Sequence, residues 1–385
     1  MAVRGQELDD RLAPLLRDGR DGMGDVDWFD AHTHMGHNDP DGFEADPQDV
    51  VAGLDRAGHA RALIFAMHEP DGYVAANDAV LAATRASEGR LQALCRVAPG
   101  TPGALDEARR CLDAGARGIK LHPRSDAFTL PHPVVDALVA LAAQRRLPVL
   151  FHAGRGIPNL GAAAAALAHD HPGARIILAH CGISDLGLLA QAAAELPNLF
   201  FDTAWWQVSD VLELFATVPP GQILYASDMP YGPGSFAAFS FLRCARAVGL
   251  GAEAVRSIAG EQLARVVAGE ERVDLGPAPG ARALGERALG LERAVAYTST
   301  AVQMAFKDAD ATEPIALARL ACQTAGGRPV HARLLARVDE LLALAQEARA
   351  ASPDAPMAGI PAVLCAMVVA GTPQAGVPAG VTRLT

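Results

Sequence analysis

Short apolar runs punctuate the first two thirds of the chain, at residues 26–31, 61–67, 91–97, 116–122, 147–152, 175–180, 199–202 and 223–228. Each has strand length and is bounded by polar or glycine-containing stretches. Between them, apolar residues recur at helical spacing behind recognisable starts. Asp46-Pro47 precedes Val50, Val51 and Leu54, and Thr101-Pro102 precedes Leu105, Ala108 and Leu112. Gly58, Gly115 and Gly249 fall where such helices should stop. Eight strands alternating with helices predict an α/β fold, a parallel sheet closed into a (β/α)8 TIM barrel over residues 26–270. An open doubly wound sheet is the alternative. It fits less well, because no Gly-x-Gly-x-x-Gly follows the first strand and polar residues gather at many strand ends instead of one switch point.

Beyond the eighth strand, helices over 233–248 and 252–268 should complete the barrel, with a boundary at Gly269. Residues 1–25 form an N-terminal extension. Residues 271–385 form a C-terminal extension that opens with linker chemistry at 274–280. Helical spacing then returns at Leu284, Ala288, Leu291 and Val295, and again from Leu334 to Leu344, which predicts a small helical region. A Pro/Gly-rich tail at 352–385 surrounds an apolar strip at 362–369, expected to lie against its own chain or a second subunit. The extension is expected either to form a homodimer or to cover the pocket. Since a barrel buries its own core, loss of residues 275–385 should leave it folded.

Charge and cysteine usage narrow the partners. Net charge is −11, from 44 acidic and 33 basic residues, and no basic cluster interrupts it, so neither nucleic acid nor an anionic membrane is expected as a partner. Six cysteines without a Cys-x-x-Cys pair fit packing residues in a reducing compartment. Glu7, Asp9 and Asp10 replace the apolar core of a secretory signal, and the apolar run at 360–371 is shorter than the roughly 18 residues that span a bilayer. A soluble cytoplasmic protein acting on a small molecule is expected.

The chemistry collects at the strand ends. His32 and His34, two apart in Asp30-Ala-His-Thr-His34, project to one face of the first strand and can reach a common point. Later runs end in His152, His180, Asp202 and Asp228, and imidazole with carboxylate suits a divalent ion such as zinc. Asp228 is placed to hold that ion and to take a proton from water. Asp202 is expected to orient His180. Lys120 stands out because, among the 33 basic residues, only it and Lys307 are lysine. Arginine cannot lose its proton, so a primary amine at 120 points to substrate binding or to a carbamate bridging two metals. His122, His68, Arg124, Arg155 and Trp205 or Trp206 are candidates for the same pocket. The remaining histidines, at 37, 59, 132, 169, 171 and 331, read as surface residues.

Residues 26–269 resemble the amidohydrolase-related proteins, the metal-dependent hydrolase branch of the amidohydrolase superfamily. The likeness rests on Asp30-Ala-His-Thr-His34, Gly118-Ile-Lys-Leu-His-Pro123, Phe151-His-Ala-Gly154, Ala179-His-Cys-Gly182, Ser227-Asp-Met-Pro230 and Gly260-Glu-Gln-Leu-Ala-Arg265. It implies a barrel in which His32, His34, His152 and Asp228 hold one divalent metal, usually zinc, while His180 acts on substrate. Hydrolysis of an amide, lactone or ester is the expected reaction. Non-oxidative decarboxylation of an aromatic or unsaturated acid, known in the same branch, is the alternative. It is disfavoured by short intervals between strands, which leave no room for large pocket-walling insertions. A metal-binding barrel without catalysis is the third reading.

Overall fold

The computed structural model describes residues 2–18, 20, 26–323 and 329–381, so parts of the N-terminal extension (1, 19 and 21–25) and of the tail (382–385) lie outside the described residues. All eight expected strands form. They are β1 Phe29–Met35, β2 Arg61–Ala66, β3 in two pieces (Leu91–Ala93 and Cys95–Arg96), β4 Ile119–Leu121, β5 Pro148–Phe151, β6 Arg175–Leu178, β7 Leu199–Asp202 and β8 Ile223–Leu224. Neighbours pair in parallel in chain order. The kink in β3 is bridged at Leu94, whose N–H bonds the Ile64 carbonyl at 2.9 Å, while Cys95 N–H bonds the Gly118 carbonyl at 3.0 Å.

The ring closes between its first and last strands. Ala31 N–H donates to Tyr225 O (2.9 Å), Asp228 N–H to His32 O (3.0 Å) and His34 N–H to Met229 O (2.8 Å). These bonds carry the ladder past Ala31, which is why His32 and His34 sit inside β1 and not in a turn after it. Side chains on the inner strand faces, such as Phe29, Leu63, Phe65, Leu150, Ile177 and Leu224, fill the centre, so the barrel is packed and its chemistry is confined to the end.

The barrel helices are α2 Pro47–Ala57, α3 Val74–Ala86, α4 Ala104–Asp113, α5 Pro133–Gln144, α6 Leu160–Asp170, α7 Leu186–Ala193, α8 Val208–Thr217 and α9 Gly234–Ala247, preceded by α1 Ala2–Arg17. Asp46 opens α2 with a capping box to Asp49, and Gly58 closes it at φ 64°. The last barrel segment, α10 Ala252–Arg256 and α11 Gln262–Val267, is joined by a π turn over Ser257–Glu261. That turn presses Gly260 against β1, where a Cβ would stand 2.0 Å from the Asp27 carbonyl oxygen. Only glycine permits that approach.

Beyond Gly269 lie α12 Leu289–Ala305, α13 Thr312–Cys322, α14 Pro329–Ala351 and α15 Ile360–Gly371. The apolar strip of the tail is α15, whose Val363, Cys365, Met367, Val368 and Val369 are buried. It packs on α12 and α14 and also on α8 and α9 of the barrel. Arg243, buried in α9, donates through Nε to Thr372 Oγ1 (2.9 Å) and through Nη2 to the carbonyls of Thr372 (3.0 Å) and Gly376 (2.9 Å). One apolar core therefore runs from Leu8, Leu12 and Leu15 of α1 through the barrel's helical layer to α15. No helix among the described residues is long and apolar enough to cross a membrane.

Candidate metal centre and its surroundings

Six strands deliver polar side chains to one point. His32 and His34 come from β1, Lys120 from β4, and Asp202 from β7, while His152, His180 and Asp228 lie on the segments that leave β5, β6 and β8. His180 and Asp228 both have positive φ, 56° and 65°. For residues other than glycine that conformation costs energy, and it persists where the surrounding structure over-determines it, as at a functional site. Asp30 ties the two ends of the ring together. Its Oδ1 accepts the backbone N–H groups of His32 and Ser227, each at 3.0 Å, fixing the ligand-bearing ends of β1 and β8 relative to one another.

The ligand atoms of His32, His180 and Asp228 all lie within 4.8 Å of one another. His34 Nε2 joins them, 3.1 Å from both His32 Nε2 and Asp228 Oδ1. His152 turns its Nδ1 toward His180 Nε2 at 3.0 Å, and its ring stacks on His122 with centroids 3.8 Å apart. Gly154 makes room for that ring, since a Cβ there would stand 2.7 Å from His152 Nε2.

Hydrogen bonding decides which nitrogens carry protons. His180 Nδ1 lies 2.6 Å from the Ala204 carbonyl, an acceptor only, so it must donate and leave Nε2 as a bare lone pair. His32 Nδ1 likewise faces Asp202 Oδ2 at 2.7 Å, which leaves its Nε2 bare 3.2 Å from Asp228 Oδ1. Burial first, then neighbouring charges, holds His32, His34 and His152 well below the ordinary histidine range and lowers His180 too. Neutral lone pairs and a carboxylate converging in a largely buried cluster are what a divalent cation requires, so the residues present fit one.

Two expectations change here. Asp202 orients the ring of His32, not of His180; to His180 it offers only Oδ1, for the backbone N–H at 2.8 Å. The Ala204 carbonyl also means that neutral His180 accepts at Nε2, so it can polarise a substrate carbonyl only as imidazolium. Lys120 is fully buried, its Nζ 3.4 Å from His32 Nε2 and 4.6 Å from the Phe65 ring centroid. Burial pulls this amine down to about 7 against the opposing pull of Asp202. His68 bonds Ser125 Oγ at 2.9 Å, and His122 Nδ1 accepts the Ser125 N–H at 3.0 Å. Arg124 and Arg155 are exposed. Arg155 nevertheless lies 5.3 Å above the Trp205 ring, and Trp205 meets the His180 ring edge to face at 5.9 Å.

Several residues near the centre escaped the sequence reading. Arg96 is buried at the end of β3, paired with Asp126 at 3.1 Å, and Tyr73 donates to the same carboxylate at 2.5 Å. A charged residue inside the apolar run 91–97 was the available signal. Tyr231 stacks edge to face on His34 at 5.0 Å and donates to Asp39 at 2.6 Å. His59, expected at the surface, is buried because the loop after α2 tucks it against Trp28, with Nε2 3.1 Å from the Tyr225 hydroxyl.

A closed (β/α)8 barrel carrying a histidine and aspartate cluster at the strand ends defines a class of TIM-barrel enzymes. The amidohydrolase family model matches residues 29–261, and the chain belongs to that family. Similar solved structures include an uncharacterized TIM-barrel protein from Bordetella bronchiseptica, 16% identical with a TM-score of 0.52, covering 63% of this chain and 98% of that one. Metarhizium anisopliae IDCase in its apo form is 15% identical at 0.51, covering 65% and 99%. A 2,6-dihydroxybenzoate decarboxylase in complex with 2,6-dihydroxybenzoate is 15% identical at 0.50, covering 63% and 98%. At these identities the likeness is one of fold. No curated protein matches the chain.

Proposed function

We propose that the protein is a metal-dependent hydrolase that cleaves an amide, lactone or ester bond of a small molecule. The observation that carries this reading is the convergence of His32, His180 and Asp228 within 4.8 Å, with two imidazole tautomers fixed from behind. His34 and His152 stand beside them; His32, His34, His152 and Asp228 would hold a divalent ion, zinc being the natural match for the donor set, with His180 left beside it for the substrate. Such an ion would supply Lewis acidity and make water a nucleophile near neutral pH.

The chain's own residues do the rest. Burial raises Asp228 and the Lys120 charge opposes it; kept ionised by a bound cation, it would take a proton from water and return it to the leaving nitrogen or oxygen. Asp202 holds the His32 ring in register and Asp30 holds the backbone beneath it. Lys120, His122, His68, Arg124, Arg155 and Trp205 are the groups assigned to substrate, with Lys120 as the ammonium for an anionic group and one ion per chain. A bridging carbamate on Lys120 would instead bring a second ion.

Decarboxylation is the second reading, favoured by the fold shared with the 2,6-dihydroxybenzoate decarboxylase. The His180 tautomer removes only neutral His180 as the donor to carbon, so in this second reading the proton would come from Asp228, which burial pushes toward its protonated form. The test is elemental analysis of the purified protein for its metal-to-chain ratio, followed by product release from amide, lactone, ester and carboxylic acid panels. About one divalent ion and a free amine or alcohol is the expected result. Release of carbon dioxide would move the assignment to decarboxylase, and absence of tightly held metal would return it to a non-catalytic barrel.

A further inference from the structure

Three similar solved structures are matched over 98–99% of their own length by 63–65% of this chain, and the family model ends at residue 261, before the C-terminal helices. What those helices contribute must come from their own contacts. Two residues of α12 and its C-cap reach the loop that follows β7. Ser299 Oγ accepts from Gln207 Nε2 at 2.9 Å, and Phe306, at the C-cap, meets the Trp206 ring edge to face at 5.7 Å. Trp206 leans on Trp205 with centroids 5.8 Å apart, and Trp205 in turn meets the His180 ring. Trp205 Nε1 is anchored to Asp210 at 2.6 Å. From the loop after β5, the Arg155 guanidinium covers both indoles, at 5.3 and 5.7 Å.

An unbroken line of ring contacts therefore joins the extension to a histidine of the metal cluster. Phe306 is 54% exposed, so the helical core does not account for its position. We propose that α12 is the outer wall of the site's mouth, and that Phe306 is a positioning residue setting the Trp205–Trp206–Arg155 shelf beside His180. Indole faces under a guanidinium form a surface against which a flat part of a ligand can lie. That the shelf serves a substrate rests on the cluster being the reactive centre; that Phe306 fixes the shelf does not.

Iodide quenching of tryptophan fluorescence in the full-length protein tests this. Trp28, the third tryptophan, is only 5% exposed, so quenching reports the shelf. With the Phe306 ring gone, iodide drawn toward Arg155 should reach the indoles more freely, and Phe306→Ala should raise the quenching constant about twofold. Phe306→Tyr, which keeps the ring, should restore the wild-type value. Because the side chain is half exposed, the thermal midpoint of either variant should stay within about 2 °C of wild type. An unchanged quenching constant in Phe306→Ala overturns the proposal, as does a change that Phe306→Tyr fails to reverse. Metal analysis of the same samples separates the two readings, since a wild type without metal removes the hydrolase assignment while leaving the quenching result to decide this one.

Discussion

The strand ends of the barrel and helix α15 are both withdrawn from water, yet they are built from opposite materials. Around the metal cluster, His32, Lys120, His180, Asp202 and Asp30 are all buried, and burial pushes each toward its neutral form. In α15 the buried side chains are Ile360, Val363, Cys365, Met367, Val368 and Val369. The first set costs folding free energy through desolvation and, at His180 and Asp228, through positive φ. The second supplies it through apolar burial. The molecule thus tolerates an expensive site because stability is generated elsewhere, partly outside the barrel.

The sharpest break of that contrast is at Asp228. Asp228→Ala should lower turnover at least about a thousandfold and strip the metal, since it removes both a ligand and the proton carrier. The fold should survive, with a thermal midpoint of the metal-free variant close to that of metal-free wild type, because the desolvated carboxyl is gone while the positive φ, 65°, is kept by alanine. Full metal content with full turnover would end the assignment.

The opposite result is expected at α15. Met367→Ala removes a fully buried side chain and should cost about 3 kcal/mol in denaturant unfolding, with turnover per folded molecule unchanged. Deleting residues 275–385 goes further. The expectation that such a barrel would fold does not fit the packing, because α8 and α9 lose the helix that covers them and Arg243 loses Thr372 and Gly376. The apolar faces of α8 and α9 that α15 covers would then be opened to water, which is strongly destabilising. A soluble, monodisperse, metal-binding truncation would show that the barrel stands alone after all.

These two regions were also unequally legible in the sequence. The eight strands and the glycine stops at Gly58, Gly115 and Gly249 could be placed because they depend on local apolar spacing and on positive φ, here 64°, 106° and 79°. The cluster could be assembled because strand ends of a barrel converge whatever the sequence between them. What could not be read was any contact that depends on loop paths. The Asp202–His32 bond, the burial of His59 and the Arg96–Asp126 pair leave no local mark, because partners distant in the chain decide their surroundings. Helix α13 is short, and small alanines, at 316, 318 and 321, dilute its apolar face, so its period is weak in the sequence.

A milder change probes how the cluster is held. Asp202→Asn keeps the shape but can donate a proton toward His32 Nδ1, which favours the wrong tautomer of that ring. Metal affinity should fall about 10- to 100-fold in a competition titration, with the unfolding midpoint of the metal-free protein little altered. Unaltered affinity would mean that His32 is oriented by packing alone.

The smallest expected effect lies beneath the cluster, at His59. Its ring faces Asp30 Oδ2 at 3.7 Å and the Tyr225 hydroxyl at 3.1 Å, with Trp28 stacked on it and Arg20 nearby. Burial, helped by Arg20, lowers it to about 3, so the folded protein keeps His59 neutral where an unfolded chain would protonate it near 6.5. Its contribution is therefore complete above pH 6.5 and is lost progressively as pH falls toward 3. Asp30 acts in the opposite sense, because burial raises it to about 7 and it gains a proton on folding in the same window. Comparing wild type with His59→Gln largely removes that opposing contribution, which both proteins share. The stability difference between them, measured by urea unfolding, should shift by about 2 kcal/mol in favour of the variant between pH 6.5 and pH 5. A difference that stays constant across that range would place His59 in contact with water and withdraw it from the buried network that supports β1 and β8.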